Sequence, residues 1–351
     1  MSHSILLTGA SGYLGGSLLT YLHTHRAALP PHKTLYALVR TPEQGEAVKS
    51  YGAVPLYLDL QDEDAVTKAI LDAEITIVYF LIDALKSDAQ LRLIKALGEV
   101  KKQTGLATHF LHTSGAKIFS QHAGFPTDRK ISDADPELFA QSKQVEPPFN
   151  IMKTAVRTNQ EVVETAEKYG VRSYIFIPCI VYGQGSGFGN KISIQTVAVV
   201  KAAKGVGAVY DINPENYTWP VCHIEDNTAL YASLLATILL GDNPGHGKNG
   251  YYLASSGSVA WRDIYIAMAK ALAKRQVVKS DKIEKADDAA LEEIGKALGC
   301  PIDFVGVQFG GKCTLTADHG HSVSWRAKYN ADHVLEAADA EIELILKHLK
   351  D

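Results

Sequence analysis

Short, nearly continuous apolar runs alternate with longer amphipathic stretches through the first half of the chain. Residues 4–8, 34–39, 54–57, 75–81, 109–113 and 173–178 are strand-length and rich in Val, Ile, Leu and aromatics. Between them, residues 13–25, 42–50, 62–71, 89–104 and 150–169 carry apolar positions at helical spacing. Strands that read as unbroken apolar runs are buried on both faces, so the alternation predicts a doubly wound parallel α/β sheet. Pro42 suits the first turn of its helix, where the missing N–H would be unpaired in any case. Residues 119–148 read as a loop containing several prolines and charges.

Beyond Gly183 the alternation loosens. Helices are expected near 192–203, 224–240, 260–274 and 337–349, and 279–298 reads as a charged, solvated helix. The pattern predicts a large domain over 1–183, rejoined by 216–250. A smaller, mainly C-terminal substrate subdomain is predicted from 184–215 and 251–351. A chain of 351 residues has room for both.

Composition narrows the function. Hydrophobic residues make up 46% and charged residues 21%, the balance of a globular protein with a substantial core. Lys+Arg total 35 against 39 Asp+Glu, giving a formal charge of −4 with no basic block. No nucleic-acid footprint follows, and no attraction to an acidic membrane. Cys179, Cys222, Cys300 and Cys313 stand far apart without a CxxC pair, as reduced cysteines of a cytosolic protein would. His319 and His321 have no third ligand nearby in sequence, so no metal site is expected. No signal-peptide pattern opens the chain, and no run approaches the roughly 18 apolar residues of a membrane span. A soluble, cytoplasmic protein is the expectation.

Chemistry enters at Gly9-Ala10-Ser11-Gly12-Tyr13-Leu14-Gly15, which follows the first apolar strand and opens the first helix. Glycines allow a tight turn and close approach of backbone N–H groups to a pyrophosphate, which the helix N-terminus also attracts. That placement predicts a dinucleotide-binding Rossmann sheet. The second strand ends Leu38-Val39-Arg40-Thr41 rather than on an acidic residue. A guanidinium suits a 2′-phosphate, so NADP(H) is expected over NAD(H). Asp59, after the third strand, is expected at the adenine edge, with Leu60 beside it and Phe80 and Leu81 closing the fourth strand.

The glycine loop, Asp59-Leu60, the segment His112-Thr113-Ser114-Gly115-Ala116 and the segment Ile177-Pro178-Cys179-Ile180-Val181-Tyr182-Gly183 together resemble the extended and atypical short-chain dehydrogenase/reductases, including NAD-dependent epimerase/dehydratase-like proteins. Val221–Asn227 and Ser324-Trp325-Arg326 are similar to later elements of that family. The resemblance implies a cofactor cleft touching Thr113, Pro178 and Ile180, with Tyr182 and Ser114 toward the substrate.

The family's usual catalytic trio is a Ser or Thr, a Tyr, and a Lys four residues after the Tyr. Here Gly115 stands at the common Ser position, and the Tyr-x-x-x-Lys frame reads Phe149-Asn150-Ile151-Met152-Lys153. Phenylalanine cannot move a proton. Lys153-Thr154-Ala155-Val156-Arg157, with Glu161, resembles instead the helix of isoflavone reductase-like and NmrA-like proteins, which implies a single proton-handling Lys. On that basis Lys153 and Ser114 are the expected catalytic residues, and Lys153→Ala is expected to abolish turnover. Tyr79 reads as packing and His223 as a brace. The expected function is hydride transfer between NADP(H) and a carbonyl or activated C=C of a small organic substrate. The alternative is a non-catalytic NADP(H)-sensing regulator of NmrA type. Oligomeric state stays open, with a closed homodimer as the general prior.

Overall fold

The computed structural model describes residues 3–349. Seven strands build the main sheet: β1 (Ser4–Leu7), β2 (Thr34–Val39), β3 (Val54–Tyr57), β4 (Ile75–Phe80), β5 (His109–Thr113), β6 (Arg172–Pro178) and β7 (Tyr251–Ala254). Their spatial order is 7-6-5-4-1-2-3, and every neighbouring pair is parallel. The central strands β1, β4 and β6 are walled by apolar residues on both faces, and Ile77, Val78, Leu6 and Ile175 are fully enclosed. The helices Tyr13–Thr24 and Ile224–Leu239 pack together over the sheet, as do Asp88–Thr104 and Asn150–Tyr169. No helix among the described residues is long and apolar enough to cross a membrane.

The order of strands reverses between β1 and β4. At such a switch point the two flanking loops diverge and leave a crevice at the carboxyl ends of the strands, where ligands of this architecture bind.

Several expectations shift in detail. The boundary drawn at 250 falls just ahead of β7, which joins the main sheet beside β6, so the chain stays with that sheet through Ala254. Thr218–His223 pairs with Ile180–Tyr182 and with Gly257–Ala260 in a separate three-stranded sheet. The stretch 279–298 is helical only over Asp288–Leu298, because Glu284–Lys285 pairs with Tyr210–Asp211 and Asp287 then caps the helix through Ala290 N–H. The presumed loop 119–148 contains a short helix, Leu138–Ser142, and a strand, Ile131–Ser132, paired with Leu315–Thr316.

A segment of the second half clasps the first helix. The Tyr13 hydroxyl donates to the Gly183 carbonyl at 2.7 Å, Ser186 N–H donates to Ser17 Oγ, and Asn190 N–H donates to the Ser11 carbonyl at 3.0 Å. Gly187 and Gly189 lie so close to Gly16 and Ser11 that a Cβ at either would overlap backbone atoms. The far end is held by Glu341, which accepts from Gly183 N–H and from the Thr196 hydroxyl.

Candidate active site

The glycine loop sits at the switch point. Thr8 N–H donates to the Tyr79 carbonyl and Leu81 N–H to Thr8 Oγ1, which ties the ends of β1 and β4 together. Gly9 then turns with φ +71°, a conformation that favours glycine, and an added Cβ would stand 2.7 Å from the Leu81 carbonyl oxygen. Gly12 N–H closes the turn on the Gly9 carbonyl at 2.8 Å. A Cβ at Gly15 would overlap that same carbonyl, so glycine is what lets the helix start this near the strand. The helix Tyr13–Thr24 begins at Gly12 with no side-chain cap, leaving first-turn N–H groups available to an anion. This cradle fits the pyrophosphate of a dinucleotide.

Toward the sheet edge, Arg40 is exposed at the end of β2. Its backbone N–H donates to Gln44 Oε1, and Thr41 caps the next helix by accepting from Gln44 N–H. The guanidinium has no ion-pair partner among the described residues. Asp59 is exposed and accepts from Gln61 N–H in a tight side-chain turn, while Asp62 caps the following helix. Leu60 and Phe80 share a cavity of about 320 Å³ with Asp83 and Lys86.

Beside Tyr13 and Leu14 opens a cavity of about 410 Å³, walled by the ends of β5 and β6, the helix Asn150–Tyr169 and residues 304–308. Ser114 and Pro178 line it. Ser114 Oγ accepts from Asn159 Nδ2 at 3.0 Å, which leaves the hydroxyl proton free for a ligand. Behind this pair lies His112, which burial holds down to about 4, so it stays neutral.

Lys153 is not brought to this cavity. Ile151, Met152 and Ala155 face it, and Lys153 stands on the opposite, exposed side of the helix. The apolar positions Met152, Ala155, Val156, Val162, Val163 and Ala166 bury one stripe, which forces residue 153 outward with Arg157. The cation inside is Lys117, on the turn Ala116–Phe119 that follows β5. Its ammonium makes only a long, 3.5 Å bond to the Gln308 carbonyl. Burial pulls its pKa from 10.5 to about 8, and no acidic group offsets this.

Other expected residues have structural partners. Tyr182 is enclosed, its hydroxyl 2.9 Å from His333 Nδ1 and its ring against His223, while its neighbour Val181 lines the cavity. Ile180 is buried in the small sheet. Thr113 Oγ1 lies 2.7 Å from the Tyr231 hydroxyl, and Tyr79 donates to the Tyr231 carbonyl. His319 donates to the Tyr251 carbonyl and stacks on Tyr252. Among the described residues no group of three His, Cys, Asp or Glu could hold a metal ion.

Residues 5–246 match the family described as NAD dependent epimerase/dehydratase. The chain belongs to that family. Three solved structures are similar in fold. A dTDP-glucose 4,6-dehydratase from Streptomyces venezuelae with NAD bound is 12% identical at TM-score 0.64, covering 98% of this chain and 97% of that one. The Thermus thermophilus UDP-glucose 4-epimerase in complex with NAD is 14% identical at TM-score 0.60, covering 98% and 99%. A monomeric L-threonine 3-dehydrogenase from a metagenome is 15% identical at TM-score 0.60, with the same coverage. No curated protein matches the chain.

Proposed function

We propose that this family member is an NADP(H)-dependent oxidoreductase whose site works without the usual tyrosine. The observation that carries the reading is continuity: Tyr13 and Leu14 belong both to the uncapped glycine cradle and to the wall of the cavity holding Ser114 and Lys117. Arg40, exposed at the end of β2 and without an ion-pair partner among the described residues, supports the 2′-phosphate and hence NADP(H). The family's cofactor, when bound, supplies or accepts a hydride.

The chain's residues would do the rest. Ser114, oriented by Asn159, donates a hydrogen bond to the substrate carbonyl oxygen. Negative charge growing on that oxygen during reduction would lie beside Lys117. The Lys117 ammonium steadies that charge and delivers the proton, leaving an amine that solvent reprotonates. The apolar walls exclude water and strengthen both interactions. Lys117 thereby takes the part first assigned to Lys153.

A second reading has its own observation. The Tyr13 hydroxyl is committed to the Gly183 carbonyl, so no tyrosine hydroxyl is free in the cavity. That supports an NADP(H)-sensing regulator without turnover. One experiment separates the two: NADPH binding followed by fluorescence, then NADPH oxidation across a panel of ketones, aldehydes and enones. Binding with turnover supports the enzyme; saturable binding with no turnover on any member supports the regulator; no binding removes both.

A further inference from the structure

The cavity beside Tyr13 and Leu14 has an uneven chemical lining. Its only titratable side chains are Tyr13, Lys117 and Cys179. Burial pushes the phenol and the thiol upward, so both stay neutral. Lys117 is therefore the single charge, with no arginine, histidine or carboxylate beside it among the lining residues.

Hydrogen-bonding capacity is equally scarce. Tyr13 is held by Gly183, the Ser193 hydroxyl by Thr196, and the Cys179 thiol by the Ala254 carbonyl at 3.0 Å. Among the lining side chains, Ser114, Lys117, Gln195 and Gln308 are what remain. A diphosphate would bring two negative charges to one ammonium, and each sugar hydroxyl buried without a partner would cost binding energy.

The mouth points the same way. Large hydrophobic side chains are rarely left in water without a use when they cluster. Here Leu85 is 37% exposed, Ile151 38% and Ile194 70%, and all three line this one cavity. They add exposed apolar surface to its wall. A volume of about 410 Å³ lies toward the small end of the roughly 300–1,000 Å³ of small-molecule sites.

We propose that the cavity takes an uncharged, largely apolar ring compound presenting one carbonyl oxygen to Ser114 and Lys117, and that it does not take a sugar nucleotide. This rests on the oxidoreductase reading for the reaction but on the lining alone for the ligand. The solved structures named for dTDP-glucose and UDP-glucose are similar to this chain in fold, at 12% and 14% identity.

The test uses the full chain saturated with NADPH and four probes: a bicyclic enone, an aryl ketone, UDP-glucose and dTDP-glucose. Calorimetric titration reports binding and NADPH oxidation reports turnover, each repeated on Ile194→Asp and Ile151→Asp. Both replaced side chains are partly exposed, and NADPH affinity in each variant verifies the fold. The expected result is saturable binding of an apolar probe at least tenfold tighter than either sugar nucleotide. Each Asp variant should weaken it at least fivefold with NADPH affinity unchanged. Absence of binding by both apolar probes, tighter binding of a sugar nucleotide, or indifference to both substitutions overturns the proposal. Apolar binding that the variants weaken, without NADPH oxidation, upholds the ligand class and removes the oxidoreductase reading.

Discussion

Asn159 Nδ2 donates to Ser114 Oγ across 3.0 Å, joining the middle of a long helix to the end of the fifth sheet strand. The bond uses an acceptor lone pair of the hydroxyl and leaves its proton to aim into the cavity. Ser114→Ala should lower kcat by about 10²-fold, the usual cost of one donor to a developing oxyanion. Asn159→Leu should lower it less, since the hydroxyl remains but wanders. Because Asn159 acts through Ser114, the double variant should be as slow as Ser114→Ala alone. Additive losses in steady-state kinetics would detach Asn159 from this role.

Lys117 should set the pH profile. Its ammonium is the proton donor, so kcat should fall as pH rises through about 8. The groups around it do not titrate there: burial keeps His122 neutral and moves Tyr13 and Cys179 upward. Lys117→Arg keeps the charge but cannot release the proton, and should flatten the profile while losing most of the rate. A wild-type profile unchanged between pH 7 and 9.5 would assign the proton to another group.

The same lysine weakens the fold. A pKa lowered on folding favours the neutral amine, so the associated stability is complete above 10.5 and is lost as pH falls through about 8. At pH 7 the fold bears the cost of an enclosed charge. Lys117→Met should therefore stabilise the protein by about 1–3 kcal/mol at pH 7, and by much less at pH 10. Urea unfolding at the two pH values measures the difference. A charge kept at such a cost is the pattern of a functional group.

Arg40→Ala should weaken NADPH binding by roughly tenfold to a hundredfold, the worth of hydrogen bonds to a charged phosphate. NADH affinity should barely change, since the guanidinium has no ion-pair partner to lose among the described residues. Equal losses for both cofactors would put Arg40 elsewhere in the binding site.

Lys153→Ala should leave turnover within about twofold, as expected of an exposed side chain away from the cavity. This reverses the expectation drawn from the Lys-Thr-Ala-Val-Arg spacing, and the two are separated by a single kinetic measurement.

The contrast between the two lysines shows what a sequence makes legible. The glycine loop could be read because its chemistry is local: strand, turn and helix are adjacent in the chain, and each glycine has a nearby backbone to approach. Buried parallel strands could be read because burial on both faces removes polar residues. Lys153 was placed by motif spacing, although the buried stripe Met152, Ala155, Val156 and Val162 already turned it outward. Lys117 carried no periodic signal, since its turn is irregular and its walls come from residues 304–308, far along the chain. A lysine set between Ala116 and Ile118 at the end of an apolar strand was the one local hint. β7 escaped notice because Tyr-Tyr-Leu-Ala is too short to show a period, and only β6 beside it makes it a strand.

The clasp from Gly183 to Asn190 carries its grip on Ser11 a few peptide units onward into Ser193, Ile194 and Gln195, which form one side of the large cavity. One stretch of chain is thus fastened to the nucleotide cradle at one end and shapes the entrance for the second reactant at the other. Were both compartments to fill, linkage would make any coupling between them mutual, each occupant changing the other's affinity by one common factor.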